Sequence, residues 1–139
     1  MRLEGKIWKS KTSKFWLIEV PLLDVVTQGT SKEDAFLMIK DAIELLVNKK
    51  GFKVQVFFGK GSDFSVESNN PKILIAFMLK RLRTLMGLSV RDVATRLNSK
   101  SPNAYAQYES GKVNLSLDKL VELIKAINPD FKPVLKAAA

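Results

Sequence analysis

The chain has 139 residues, 46% of them hydrophobic and 27% charged, which suits one moderate globular domain or two small ones. It contains no cysteine and no histidine, which excludes disulfides, thiolate or imidazole catalysis, and metal sites built on those ligands. Lys and Arg number 23 against 14 Asp and Glu, a net charge of +9. No apolar run reaches the ~18 residues that a membrane span requires. The opening Met1-Arg2-Leu3-Glu4-Gly5-Lys6 lacks the apolar core of a signal peptide. A cytoplasmic protein without membrane contact is expected.

The first half predicts strands around one helix. Leu3 to Ser10 and Lys14 to Val20 are β-rich runs separated by Lys11-Thr12-Ser13, the spacing of an antiparallel hairpin. Pro21 closes the second run because it has no N–H to give to a ladder. Val25-Val26-Thr27 predicts a short third strand closed by Gly29. The helix follows. Thr30 and Glu33 have capping-box spacing, and Ala35, Phe36, Ile39, Ala42, Ile43, Leu46 and Val47 recur at helical intervals. Glu33, Asp34, Lys40, Asp41 and Glu44 fall largely on the other side, and Gly51 is placed to stop the helix near Lys50. Phe52 to Phe58 then alternates, with Phe52, Val54, Val56 and Phe58 pointing one way. The expected order over residues 1–58 is β-β-β-α-β. The stretch 59–71, rich in Gly, Ser and Asn, predicts a linker with room for a brief strand at Phe64 and Val66.

Residues 72–139 predict an all-α unit, which makes the fold class α+β. Lys72 to Met86 is helical, with Ile75, Leu79, Leu82 and Leu85 on one side and Gly87 at its end. Ser89, with Asp92 three residues on, caps a second helix whose inner face is Val90, Val93, Ala94 and Leu97. After the tight turn Asn98-Ser99-Lys100, Ser101 caps a third helix with Pro102 at its first position. That helix is expected to run to about Ser110, before Gly111. Ser116 caps a fourth, with Leu117, Leu120, Val121, Ile124 and Ile127 inward and Asn128-Pro129 at the end. Two short helices joined by a three-residue turn inside a compact helical unit make a helix-turn-helix.

Charge falls unevenly between the halves. Residues 1–70 hold 11 basic and 9 acidic side chains, and residues 71–139 hold 12 and 5. The basic half suits a polyanion. On the third helix of that half, Tyr105 falls where an anchor to the core is needed, and Ser101, Asn103, Ala104 and Gln107 lie on or near the outward face. Asn and Gln can pair with adenine edges, and Ala can touch a thymine methyl. Lys100, Lys112 and Asn114 flank this face and complete the candidate DNA-binding set.

Leu88-Ser89-Val90-Arg91-Asp92-Val93-Ala94, followed by Tyr105-Ala106-Gln107-Tyr108-Glu109-Ser110-Gly111-Lys112, resembles the XRE family of helix-turn-helix repressors. Glu109, Gly111 and Lys112 match that family's exit from the recognition helix. The first half resembles HicB-type antitoxins: Phe15 to Val20, then Pro21, then Val25-Val26-Thr27-Gln28-Gly29-Thr30-Ser31-Lys32-Glu33-Asp34-Ala35. The two resemblances together imply a partial ribonuclease H-like domain followed by a DNA-binding domain. They also imply an antitoxin that neutralises a HicA-type mRNA interferase toxin and represses its own operon. Paired DNA-binding domains, hence a homodimer or higher oligomer, would match a two-fold operator.

Ribonuclease H chemistry needs several carboxylates converging on two metal ions. The first two strands offer only Glu4 and Glu19, and Phe52 to Phe58 holds no acidic residue. The chain is therefore expected to be no enzyme, with no catalytic residue, metal or cofactor. The alternative is a stand-alone repressor whose first domain senses a ligand or sets the oligomeric state.

Overall fold

The computed structural model describes residues 1–137. The N-terminal half forms a five-stranded sheet of β1 (Leu3–Lys9), β2 (Trp16–Val20), β3 (Val25–Gly29), β4 (Val54–Phe58) and β5 (Asp63–Ser68). The spatial order is β3-β2-β1-β5-β4, and every neighbouring pair is antiparallel. Alternation along β1 decides which face is covered: Leu3, Gly5 and Ile7 are buried, while Glu4, Lys6 and Trp8 are exposed. Through the register, Ile7 sits beside Ile18, Leu3 beside Val66, and Val66 beside Val56. One helix, α1 (Lys32–Val47), covers that face with the buried Ala35, Ile39 and Ile43. Each of the two isoleucines contributes about 2–3 kcal/mol by leaving water.

β5 corrects two expectations. The expected order β-β-β-α-β becomes β-β-β-α-β-β, and the stretch 59–71 is no linker. It holds a turn at Gly59–Ser62 and a strand paired on both sides, with β1 and with β4. Alternation explains why the strand forms, since Phe64, Val66 and Ser68 are buried and Ser65 and Glu67 lie on the other face. The polar residues disguise it because half of any strand with one open face is polar.

The strand-to-helix junction accounts for the Gly29–Ala35 motif in local terms. A Cβ at Gly29 would land on the Ala35 backbone, so only glycine lets β3 run this close to the first turn of α1. The helix cap is Ser31, not Thr30: Ser31 Oγ accepts from the Asp34 N–H at 3.0 Å. Asp34 reaches back to accept from the Thr30 N–H at 2.8 Å. The cap is thus Ser31, one residue later than expected, and Asp34 in place of Glu33 reaches back, to the N–H of Thr30. Such a cap is worth about 1 kcal/mol. The helix also ends earlier, at Val47, with Asn48 in the left-handed conformation (φ +50°) as its C-cap in place of the stop at Gly51. Two apolar residues expected inside are outside: Leu46 on α1, and Phe58, which is 76% exposed at the end of edge strand β4. Glu44, expected on the solvent side, is largely covered. It binds Lys40 at 2.8 Å and accepts from the Val54 N–H at 2.9 Å, tying α1 to that same edge.

The chain then continues as α2 (Pro71–Leu85), α3 (Val90–Arg96), α4 (Pro102–Ala106) and α5 (Leu117–Ile127). α2 serves both halves. It packs against the 3-10 turn Pro21–Leu23 on one side and the 3-10 turn Gln107–Glu109 on the other. Arg81 donates to the carbonyl oxygens of Leu23 and Asp24, and Arg83, two residues on, points to the other half. One contiguous apolar core runs from Leu3 to Ile127.

Candidate nucleic-acid interface

Each helix of the C-terminal half is started by a side-chain cap. Asn70 accepts from the Ile73 N–H at 3.3 Å, so α2 begins at Pro71, one residue before the expected Lys72. Gly87, at φ +69°, turns the chain after α2. Ser89 and Asp92 form a full capping box for α3, with bonds of 3.0 and 2.8 Å. The Ser89 N–H holds the Asp92 carboxyl below the usual carboxylate range. Ser101 caps α4 by accepting from the Asn103 N–H at 3.2 Å, with Pro102 at the first position. Ser116 caps α5 through the Lys119 N–H at 3.1 Å.

α3 and α4 meet through the buried Val93, Ala94 and Tyr105, with Val90 and Leu97 half-buried beside them. The turn between them needs one left-handed residue, and Asn98 (φ +57°) supplies it. α4 is shorter than expected. Its α-helical part ends at Ala106 and the chain tightens into the 3-10 turn Gln107–Glu109, because Ser110 bonds back to the Gln107 carbonyl through both its N–H and its hydroxyl. Two other positions expected inside, Leu85 and Leu117, are exposed, and Leu123 takes the inward place on α5.

The exit of α4 is clamped to α2. Arg83 binds Glu109 with two parallel bonds, Nε to Oε2 at 2.7 Å and Nη2 to Oε1 at 2.9 Å, and its Nη1 donates to the Leu88 carbonyl at 2.9 Å. The Glu109 carboxylate raises the Arg83 guanidinium further above its ordinary value, against the opposing effect of burial. Burial, and then Glu109, push the adjacent Tyr105 phenol upward, so it stays neutral; its hydroxyl has no hydrogen-bond partner of good geometry among the described residues. Gly111, at φ +78°, follows, and a Cβ there would stand 3.2 Å from Ile73 Cγ1. Glu109 and Gly111 therefore hold α4 in place, while Lys112 between the turn and the next loop faces water. The sequence flagged Glu109 but not its partner, which lies 26 residues earlier on another helix.

All seven residues expected to meet DNA are exposed: Lys100 in the turn, Ser101, Asn103, Ala104 and Gln107 along α4 and its exit, and Lys112 and Asn114 in the following loop. The Ser101 oxygen is engaged as the α4 cap. The Lys112 backbone is held by Ser110 Oγ at 3.2 Å, which fixes the loop without using its ammonium. Arg91, which the sequence reading passed over, is exposed on α3 and extends the basic surface. Arg96 on the same helix locks α3 to α5 through the Ala126 and Ile127 carbonyls at 3.1 and 3.2 Å.

Residues 79–130 match the helix-turn-helix family model. This part of the chain is a helix-turn-helix domain. The match begins within α2 and ends just past α5, so it takes in the Arg83–Glu109 clamp and every candidate DNA-binding residue. The match supports a helix-turn-helix domain of the XRE type over these residues. No curated protein matches the chain. Among the described residues, no three carboxylates converge where a metal ion could be held, and no helix is long and apolar enough to cross a membrane.

Proposed function

We propose that the chain is a cytoplasmic transcription regulator that inserts the helix-turn-helix domain into the major groove of a double-stranded operator, and that it is the antitoxin of a type II toxin–antitoxin system. The observation that carries the first part is the outward face of α4. Asn103 and Gln107 stand a helical turn apart with exposed amides, Ala104 is small between them, and the helix is anchored by Tyr105 and the Arg83–Glu109 pair. Amides suit base edges, while Lys100, Lys112 and Arg91 suit phosphates. A two-fold operator would engage a homodimer or higher oligomer.

The second part rests on the order of the two halves. A strand ending at Pro21, then Gly29, a hydroxyl and Glu33-Asp34-Ala35 opening α1, resembles HicB-type antitoxins, and a helix-turn-helix domain follows it. In this reading the N-terminal half is a partial ribonuclease H-like domain used as a platform that occludes a HicA-type mRNA interferase; it carries no catalytic step and takes no cofactor. The decisive experiment is co-expression with the adjacent reading frame, followed by co-purification and titration of the complex on DNA from upstream of the pair. Co-purification with relief of toxicity supports the antitoxin. Tight, specific DNA binding with no toxic neighbour reduces the reading to a stand-alone repressor. Absence of specific DNA binding overturns it.

A further inference from the structure

The N-terminal half has a nearly balanced charge, yet its bases and acids are not mixed. The strands have two ends. At one end lie the Pro21–Leu23 turn, the C-terminus of α1 and the start of α2, where Arg81 reaches Leu23 and Asp24. The other end, away from the helix-turn-helix domain, is made by three junctions that the register brings side by side. Lys9 pairs with Trp16 and Trp16 with Gly29, which puts the β1–β2 loop beside the start of α1. The Ile7 N–H donates to Ser62 at 2.9 Å and Lys6 pairs with Asp63, which puts the β4–β5 turn on the other flank.

These junctions carry Lys9, Lys11, Lys14, Lys32 and Lys60. Among the described residues, none of the five has a carboxylate within salt-bridge distance. The acids at this end are Glu33, Asp34 and Asp63. Asp34 is used by Thr30 as part of the helix start, and Asp63 is paired with Lys6. The loop is not a floppy tip. Ser10 Oγ accepts from the Thr12 and Ser13 N–H groups at 3.2 and 3.1 Å, and the Ser10 N–H donates to Phe15 at 3.0 Å. Aromatic rings are set among the lysines. Trp8 is 39% exposed on the open face of the sheet, Lys9 lies over Trp16 at 5.7 Å, and Lys14 lies over Phe15 at 5.6 Å.

We propose that this end of the sheet is a second nucleic-acid-binding surface, and that it takes single-stranded RNA or DNA without sequence preference. Lysines supply the backbone attraction and counterion release. The exposed Trp8 ring supplies the stacking that a single strand offers and a duplex hides. An acidic protein partner would use the lysines but gain little from the exposed indole, which is why the single strand is favoured. The site is independent of α4, so it stands or falls apart from operator recognition.

Both tryptophans of the chain lie at this end of the sheet, Trp8 exposed on the open face and Trp16 partly buried beside Lys9, so intrinsic fluorescence reports on this end. The experiment titrates the full chain with a mixed-sequence RNA oligonucleotide, its DNA equivalent, an unrelated duplex, and poly-glutamate, in parallel with the K9Q/K11Q/K14Q triple variant. Lys9 ends β1 and Lys11 and Lys14 lie in the loop after it, all three exposed and outside the helix-turn-helix domain, so an unchanged far-UV circular dichroism spectrum and thermal transition serve as the control for folding. The expected result is quenching by either single strand, an affinity lower by about tenfold or more in the triple variant, and little quenching by the duplex. Gln107→Ala should leave the single-strand affinity as it is. The proposal is overturned if neither single strand quenches, if the triple variant binds single strands like the parent, or if Gln107→Ala weakens single-strand binding as much as the triple variant does. Poly-glutamate competing as well as RNA would also overturn it, in favour of an acidic protein partner.

Discussion

Glu109→Ala should unfold the recognition helix's support more than any other single change on that surface. The pair it breaks is nearly closed to solvent, with side-chain exposures of 12% for Arg83 and 9% for Glu109. Removing one partner of such a pair leaves an uncompensated charge, and losses of about 3–5 kcal/mol are typical. Arg83 keeps its bond to the Leu88 carbonyl, so the lower end, about 3 kcal/mol, is expected here. Native domains hold only about 5–15 kcal/mol in total, so the loss is large enough to move a urea midpoint clearly. Glu109→Gln keeps the shape and one acceptor and should cost less. The double variant R83M/E109L should lose less stability than Arg83→Met and Glu109→Leu added together, because neither charge is then left alone. Urea unfolding followed by far-UV circular dichroism makes the measurement. A loss below about 1 kcal/mol for Glu109→Ala would refute the reasoning, since it would class the pair with exposed ones.

Three further outcomes follow from the sheet. Gly29→Ala should cost about 3 kcal/mol in urea unfolding, near the upper end for overpacking, because its Cβ meets the backbone of Ala35 and not a movable side chain; a neutral substitution would show that β3 and α1 can part freely. Burial opposes ionisation of Glu44, but Lys40, the Val54 N–H and Lys53 outweigh it and hold the carboxyl below the usual range. Its stabilising effect is therefore present above the unfolded carboxylate pKa, about 4.3, and is lost as pH falls through the lower folded value; Glu44→Gln should flatten that acid limb in urea titrations, and an unchanged limb would contradict the assignment. A fragment of residues 1–58 lacks β5, the strand between β1 and β4, and should show no cooperative thermal transition, whereas residues 1–86 should show one.

Periodicity carried most of the helical half. Ser89, Ser101 and Ser116 were readable as caps because capping chemistry is local, needing only a hydroxyl at the right place before an apolar repeat. The Arg83–Glu109 clamp was not readable, since nothing local marks which Arg meets which Glu across two helices. β5 was legible only as a brief strand at Phe64 and Val66 inside a linker, because its polar residues Ser65 and Glu67 sit among turn-forming Gly, Ser and Asn, so a paired strand looked like a connection. The shift of the cap from Thr30 to Ser31 shows the limit of spacing alone. Thr30-Glu33 and Ser31-Asp34 have the same interval, and the close approach at Gly29 decides between them. The candidate DNA-binding residues were legible as a face, because exposure on a short helix follows from the buried position of Tyr105.

The central claim is that the exposed side of α4 reads bases. Its most direct test is titration of the operator and its single-base variants with the parent chain, Asn103→Ala, Gln107→Ala and Lys112→Ala. Each amide variant should lose about 1–3 kcal/mol of specific binding and relax preference at its own base pair, while Lys112→Ala should weaken all sequences evenly and reduce the salt dependence. Parent-like affinity and preference in both Asn103→Ala and Gln107→Ala would contradict the account, because the groove would then be read by another face.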